Sequence, residues 1–322
     1  GRLSEILGEN AIPFDKMFRT VGIKRNIYKN LYKYDTTVMK ILQAYSNGVN
    51  EFLKERKGNY AIEFDVLGYQ PEQWKPLHSL IVIKMMAWEL NISWWTDLSF
   101  AELIQKLGTE KVLEILPDYP QNAPTIIADN FKYLPAINST LVETDKSFRQ
   151  MMGWTGTHIG SNNWVVNANK SVSGKPIIAN DPHLAFSAPG KWYAAVIKSK
   201  NWNAAGVTLP GVPGIVIGRG DNISWVLTNV MNDDADFYVE KLDSSKTKYL
   251  IDGQWQNLKI IKDTIKVNDG IDQIITIKET HRGPIISNIH PYKSIYNKDN
   301  LDIPPISMRW SGSEFSDEML AF

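Results

Sequence analysis

An α+β fold is predicted for this 322-residue chain, and three observations predict it. Residues 1–115 carry apolar side chains at helical spacing, residues 161–322 run through short β-branched and aromatic stretches separated by turn residues, and 116–160 keeps neither period. A helical block followed by a strand block argues layered α+β architecture rather than an alternating, doubly wound sheet. No repeat of roughly 20–50 residues recurs, which disfavours a propeller or solenoid.

In the helical segment, "TTVMKILQAYSNGVNEFLKER" places Val38, Ile41, Leu42, Tyr45, Val49 and Phe52 three to four residues apart, behind Thr36 as the expected cap. "SFAELIQKLGTEKVLEIL" repeats the pattern, with Gly108 as the expected stop. From 116 to 160 scattered Pro, Asn, Asp and Thr read as a connector. After Ser161 the strand-like runs are "NWVVNA", "KPIIAN", "KWYAAVIKS", "NAAGVTL", "GIVIG", "SWVLTN", "DFYVEKL", "KYLIDGQW", "LKIIKDTIKV", "QIITIKE" and "GPIIS". So many strands are expected in one or two sheets.

Thirty-five basic residues balance thirty-five acidic ones, so bulk charge favours neither nucleic acid nor an anionic membrane. The chain has no cysteine, which excludes thiol nucleophiles, disulfides and thiolate metal sites. No apolar run approaches the roughly 20 residues of a membrane span. "GRLSEILGEN" opens directly in helix-like sequence and "SDEMLAF" stops as another amphipathic helix begins. The chain is therefore expected to be a segment of something longer, with the C-terminal remainder of its own polypeptide as a partner.

Gly160–Ser161 stands at the junction of connector and strands. Glycine permits backbone conformations that a side chain forbids, and a strained peptide there is open to attack by the serine hydroxyl. Cleavage creates a serine that is nucleophile and base in one residue, because a free α-amine has a pKa of about 7.7–8.0. On its own a Gly-Ser step is an ordinary loop.

"GSNNWVV", "NDPHLAFSAPGKWY", "GVPGIVIGRGDNISWVLTNVMNDDADFYVEKL" and "HRGPII" lift it, since together they resemble the β-chain start of the penicillin acylase family of N-terminal nucleophile hydrolases. "GRLSEILGENAIPFDKMFRTVGI" and "MMAWELN" resemble that family's α-chain. The resemblance implies a partial four-layer αββα core with a helical α-chain-like segment beside it, cut before Ser161. It implies Ser161 as nucleophile, with His183 helping to orient its amine. Histidine at that position is shared with the cephalosporin and acyl-homoserine-lactone acylases, where penicillin G acylases carry glutamine. "LTNV" resembles the strand end whose backbone N–H forms half of the oxyanion hole, with Asn229 the better match and Val230 its neighbour. The other half, an asparagine side chain, would fall beyond Phe322.

"NDDADFY" resembles the family's calcium segment, with Asp233 and Asp236 as carboxylate ligands and Ala235 through its carbonyl; an acidic surface turn is the competing account. The α-chain glutamate ligand falls near Thr96 or Asp97, a departure from the pattern. Positions lining the family's acyl pocket map onto Met86, Leu90, Leu184, Ile217 and Leu227, all apolar, which favours a hydrophobic acyl group.

The expected function is therefore removal of an acyl group from a small N-acylated substrate, without an organic cofactor, in a protein that relatives suggest is periplasmic or secreted. Two alternatives are a catalytically inert fragment and a calcium-dependent binding module directed at sugars through exposed tryptophans; Trp88, Trp94 and Trp95 read first as buried packing, with a pocket floor or a sugar face as the other account. "GRGD" at 218–221 reads as a turn between strands. His158, His281 and His290 lack close metal-ligand spacing.

Overall fold

The computed structural model describes residues 1–91, 93–115, 140–153, 160–184, 186–200, 202–289 and 304–317. Helices dominate to Leu113 and strands follow from Ser161, so the α+β class holds. None of the described helices is long and apolar enough to cross a membrane.

The longest helix, Thr36–Glu55, starts one residue earlier than Thr36 as cap would have it: Asp35 is the cap, and its side chain accepts the Thr37 N–H at 2.6 Å. Aspartate there satisfies one of the orphan donors of the first turn. The helix buries Val38, Leu42 and Ser46, while Ile41 and Phe52 stay exposed. Gly108, at φ +82°, separates helix Ser93–Leu107 from Thr109–Leu113.

Within the expected connector the chain forms a further helix, Thr140–Met151. Its buried face combines Leu141 and Phe148 with Thr144, Asp145 and Arg149. Three of these five are polar, so no apolar period marks the helix in the sequence. Residues 116–139 of the connector lie outside the described residues.

Two compact units interleave along the chain, and each takes both helices and strands: one from Gly1–Val21, Ser93–Ser147 and Asp233–Ser311, the other from Gly22–Ile92, Phe148–Asn232 and Gly312–Phe322.

In the second unit, β1 (Ser161–Val166) pairs antiparallel with β2 (Ile177–Pro182). A four-stranded antiparallel sheet runs β3 (Tyr193–Lys198), β4 (Asn203–Thr208), β5 (Ile217–Arg219) and β6 (Ser224–Trp225). Leu209, Val212, Val216 and Ile217 form its core against Val82, Ile83 and Met86 of helix Pro76–Leu90. That helix carries Glu89, whose carboxylate meets Lys191; both side chains are nine-tenths or more buried. Burial pushes Lys191 down to about 8, against the pull of its carboxylate neighbour, because desolvation penalises the ammonium.

In the first unit, β7 (Ala235–Val239) pairs with β12 (Ile306–Trp310), β8 (Lys248–Ile251) with β9 (Gln254–Asn257), and β10 (Lys259–Ile265) with β11 (Gln273–Glu279). The β8–β9 hairpin turns on Asp252 and Gly253, both at positive φ, as a two-residue turn between twisted strands requires. Ile12 packs on Ile265, Val267, Ile275 and Ile277. Among the described residues the ladders form five separate sheets, not one or two. Adjacent strands close locally as hairpins, and β12–β7 is the ladder that joins distant segments.

Candidate active site

The site grows from the start of β1. Gly160 lies at φ +101°, a conformation open to glycine and strained for other residues. The cross-strand register sets Ser161 opposite Pro182. Proline has no N–H to give the ladder, and the next one along, that of His183, donates to Ser161 Oγ at 3.1 Å. The imidazole turns elsewhere, with Nε2 2.7 Å from Asp181 Oδ2. It is thus the main chain of His183, not its ring, that touches the hydroxyl.

"SWVLTN" forms a strand only at Ser224–Trp225, and residues 226–234 have no regular structure. Side chains bind the main chain there instead. Leu227 N–H donates to Asn180 Oδ1 at 2.9 Å, and Thr228 Oγ1 donates to the Ser161 carbonyl at 2.9 Å. Asn229 Nδ2 donates to the Leu90 carbonyl at 2.7 Å, while its Oδ1 accepts the Met231 N–H at 3.1 Å. Thr228 therefore places the backbone of Asn229 one residue from a direct bond to the serine; Val230 beside it is exposed. Asn180 and Thr228 were not singled out in the sequence. Asn180 stands inside "NDPH", but a bond to an irregular segment leaves no periodic signal.

The five apolar positions separate. Met86 and Ile217 share the core under the four-stranded sheet, whereas Leu90, Leu184 and Leu227 lie outside that cluster. Leu227 is exposed, Leu184 donates its N–H to the Pro182 carbonyl, and Leu90 lends its carbonyl to Asn229. Trp88 and Trp94 are buried, so a sugar face built on them is ruled out.

His281 stacks on Tyr249 with ring centroids 5.7 Å apart and donates its N–H to the tyrosine oxygen. His158 and His290 lie outside the described residues. In the "GRGD" stretch Gly218 and Arg219 end β5, and Gly220 and Asp221 start the turn to β6, closed by the Gly220 N–H on the Ile223 carbonyl.

The acidic segment belongs to the other unit. Asp97 is exposed as a residue, yet burial of its carboxyl foremost, and then the charges of Asp233 and Asp236, push it up to about 7. Asp233 is raised as well, by burial and by Asp236. Arg309 sits opposite Asp236 across the β7–β12 ladder. Asp234 O accepts from Ser311 N–H and Glu240 N–H donates to Pro305 O. In this register the even-numbered residues exchange the ladder bonds, so the Ala235 carbonyl faces away from β12. Three carboxylates and a carbonyl are hard donors of the type calcium takes. As placed, no three acidic or histidine side chains among the described residues form a coordinating group.

A family model described as penicillin amidase matches residues 1–322. Acyl-homoserine lactone acylase QuiP of Pseudomonas aeruginosa is 30% identical over 294 residues, covering 89% of this chain and 35% of its own length. Penicillin acylase 2 proenzyme of Pseudomonas sp. strain SE83 is 28% identical over 299 residues, covering 89% and 38%. Penicillin G acylase of Escherichia coli is 23% identical over 372 residues, covering 98% and 42%. The solved thermostable penicillin G acylase from Alcaligenes faecalis aligns over 46% of this chain and 25% of its own, with a TM-score of 0.38 and 21% identity. The chain spans between about a third and two-fifths of the length of these curated relatives.

Proposed function

This chain belongs to the penicillin amidase family, and on that premise we propose that it is the nucleophile-bearing part of a longer amide hydrolase that deacylates small N-acylated compounds through Ser161. The observation that carries this reading is Ser161 itself. It begins a strand behind a glycine at positive φ, with its hydroxyl held by the His183 N–H and its carbonyl by Thr228.

Two reactions use that hydroxyl. In the first, Oγ attacks the Gly160 carbonyl carbon and the acyl group shifts from nitrogen to oxygen. Water then splits the ester, leaving a Gly160 carboxylate and a free Ser161 amine. In the second, Oγ attacks the substrate amide carbon while the new α-amine takes its proton. One backbone N–H, that of Asn229 or of its neighbour Val230, donates to the developing oxyanion, with a second donor supplied by the remainder of the polypeptide. Collapse expels the substrate amine, which takes up the proton, and water hydrolyses the acyl-serine to the free acid. Apolar residues at the positions matched to the family's acyl pocket favour a hydrophobic acyl group, as in the acyl-homoserine lactones or penicillins for which the relatives are named. No organic cofactor enters these steps.

Asp97, Asp233, Asp236 and the Ala235 carbonyl would hold a structural calcium ion, which supplies charge neutralisation to crowded carboxylates. Export to the periplasm completes the reading.

The test is self-cleavage and turnover of the full-length polypeptide. Intact mass and N-terminal sequencing should find a new chain starting at Ser161, with release of acid from a panel of N-acyl substrates of graded chain length. A single uncut species that still hydrolyses the panel would overturn the proposal.

A further inference from the structure

We infer that Asn180 and the side chain of Asn229 are positioning residues that fix the main chain at 229–230 against Ser161 before a substrate arrives. This deepens the acylase reading and rests on it. An oxyanion donor works because it is aimed in advance, so that no reorganisation accompanies the growth of charge. Residues 226–234 have no regular structure to aim them. Three side chains do so instead.

One anchor is the hairpin that carries the nucleophile. Asn180, on β2, donates Nδ2 to the Asn162 carbonyl at 2.9 Å and accepts the Leu227 N–H on Oδ1 at 2.9 Å. A single carboxamide thus joins the residue after Ser161 to the start of the irregular segment. Thr228 adds its bond to the Ser161 carbonyl. The second anchor is the end of helix Pro76–Leu90, whose last carbonyls have no intrahelical donor. Asn229 Nδ2 takes the Leu90 carbonyl at 2.7 Å. Its Oδ1 receives the Met231 N–H, a local turn that holds Met231 at φ +56°.

A carboxamide gives donor and acceptor together at each of these two places. Aspartate keeps the acceptor alone and alanine keeps neither. The backbone N–H groups of 229–230 are left out of all these bonds, and the side chains around them hold them still.

The experiment uses the full-length, self-cleaved enzyme with Asn180→Ala, Asn229→Ala and Asn180→Asp, with uncut full-length Ser161→Ala alongside. We expect the alanine variants to lose about 10- to 100-fold in kcat, as a misplacement near 1 Å does, with KM within about twofold. Affinity for a boronic-acid transition-state analogue should fall in parallel, and affinity for the product acid should hold. Asn180→Asp, which keeps the acceptor for Leu227, should recover part of the lost kcat. Folded, two-chain Asn180→Ala and Asn229→Ala with wild-type kcat, or with a raised KM alone, overturn the positioning role. If the alanine variants do not fold, Asn180→Asp and Thr228→Val are judged by the same split of kcat from KM. Turnover by Ser161→Ala removes the acylase reading itself, whereas an inactive Ser161→Ala beside fully active asparagine variants removes only this inference.

Discussion

The backbone N–H of His183 donates to Ser161 Oγ at 3.1 Å, while the His183 ring pairs with Asp181. A main-chain donor survives most substitutions of its own side chain, and proline alone deletes it. Self-cleavage at Gly160–Ser161 should therefore slow in His183→Ala but still be visible on a denaturing gel, and should stop in His183→Pro. Equal loss in both variants would return the role to the imidazole. Ser161→Cys should cleave in part, because a thiol makes the same acyl shift, and Ser161→Ala should stay one chain.

Glu89 and Lys191 form a buried ion pair. Removing one member leaves the other charge unpaired, so Glu89→Gln or Lys191→Met should cost about 3–5 kcal/mol in urea unfolding. With Glu89→Leu made singly as well, the double variant Glu89→Leu with Lys191→Met should cost less than the sum of its two single losses. Strict additivity of the two single losses would show that the charges are not coupled.

Lys191 also sets a pH dependence. Burial lowers it to about 8 from 10.5, so between these values the unfolded chain holds a proton that the folded chain has released. The stability lost at lower pH is regained as pH rises from about 8 to 10.5. This rising limb should flatten in Lys191→Met, measured as unfolding free energy against pH.

Crowded carboxylates at Asp97, Asp233 and Asp236 repel one another without a cation. Adding calcium to chelator-treated protein should raise Tm by several degrees, and the rise should shrink in Asp233→Asn and Asp236→Asn. Asp97→Asn should raise Tm in chelator, because it removes one repelling charge. Identical calcium shifts in all three variants would exclude these side chains as ligands.

Trp164, Val165, Ile177, Tyr193 and Val196 on β1–β3 are solvent-exposed. Large apolar side chains left exposed on strands mark an interface or an aggregation hazard. The isolated 322-residue chain should bind an apolar dye strongly, and Val165→Lys with Val196→Lys should reduce the dye signal with little change in Tm. In the full-length polypeptide the same pair should impair folding if its remainder covers these strands.

The fold class was legible because periodicity reports burial: Val38 and Leu42 lie on the inner face of a helix, and Ile275 and Ile277 on the inner face of a strand. Helix Thr140–Met151 was not, since Thr144, Asp145 and Arg149 fill its buried face with polar groups. Strand β12, "ISMRW", was missed because its pairing with β7 is set by distant chain and not by local pattern. At the site, Gly160–Ser161 stood out by chemistry and resemblance. Asn180 and Thr228 did not, because their importance lies in which main-chain atom each one reaches.

The β7–β12 ladder carries a cost in time. A polypeptide leaves the ribosome from its N-terminus, so Ala235 waits for Trp310, its ladder partner, to be synthesised far behind it. Until then the neighbouring aspartates hang from an unzipped edge. The ladder therefore cannot close before Trp310 has been made.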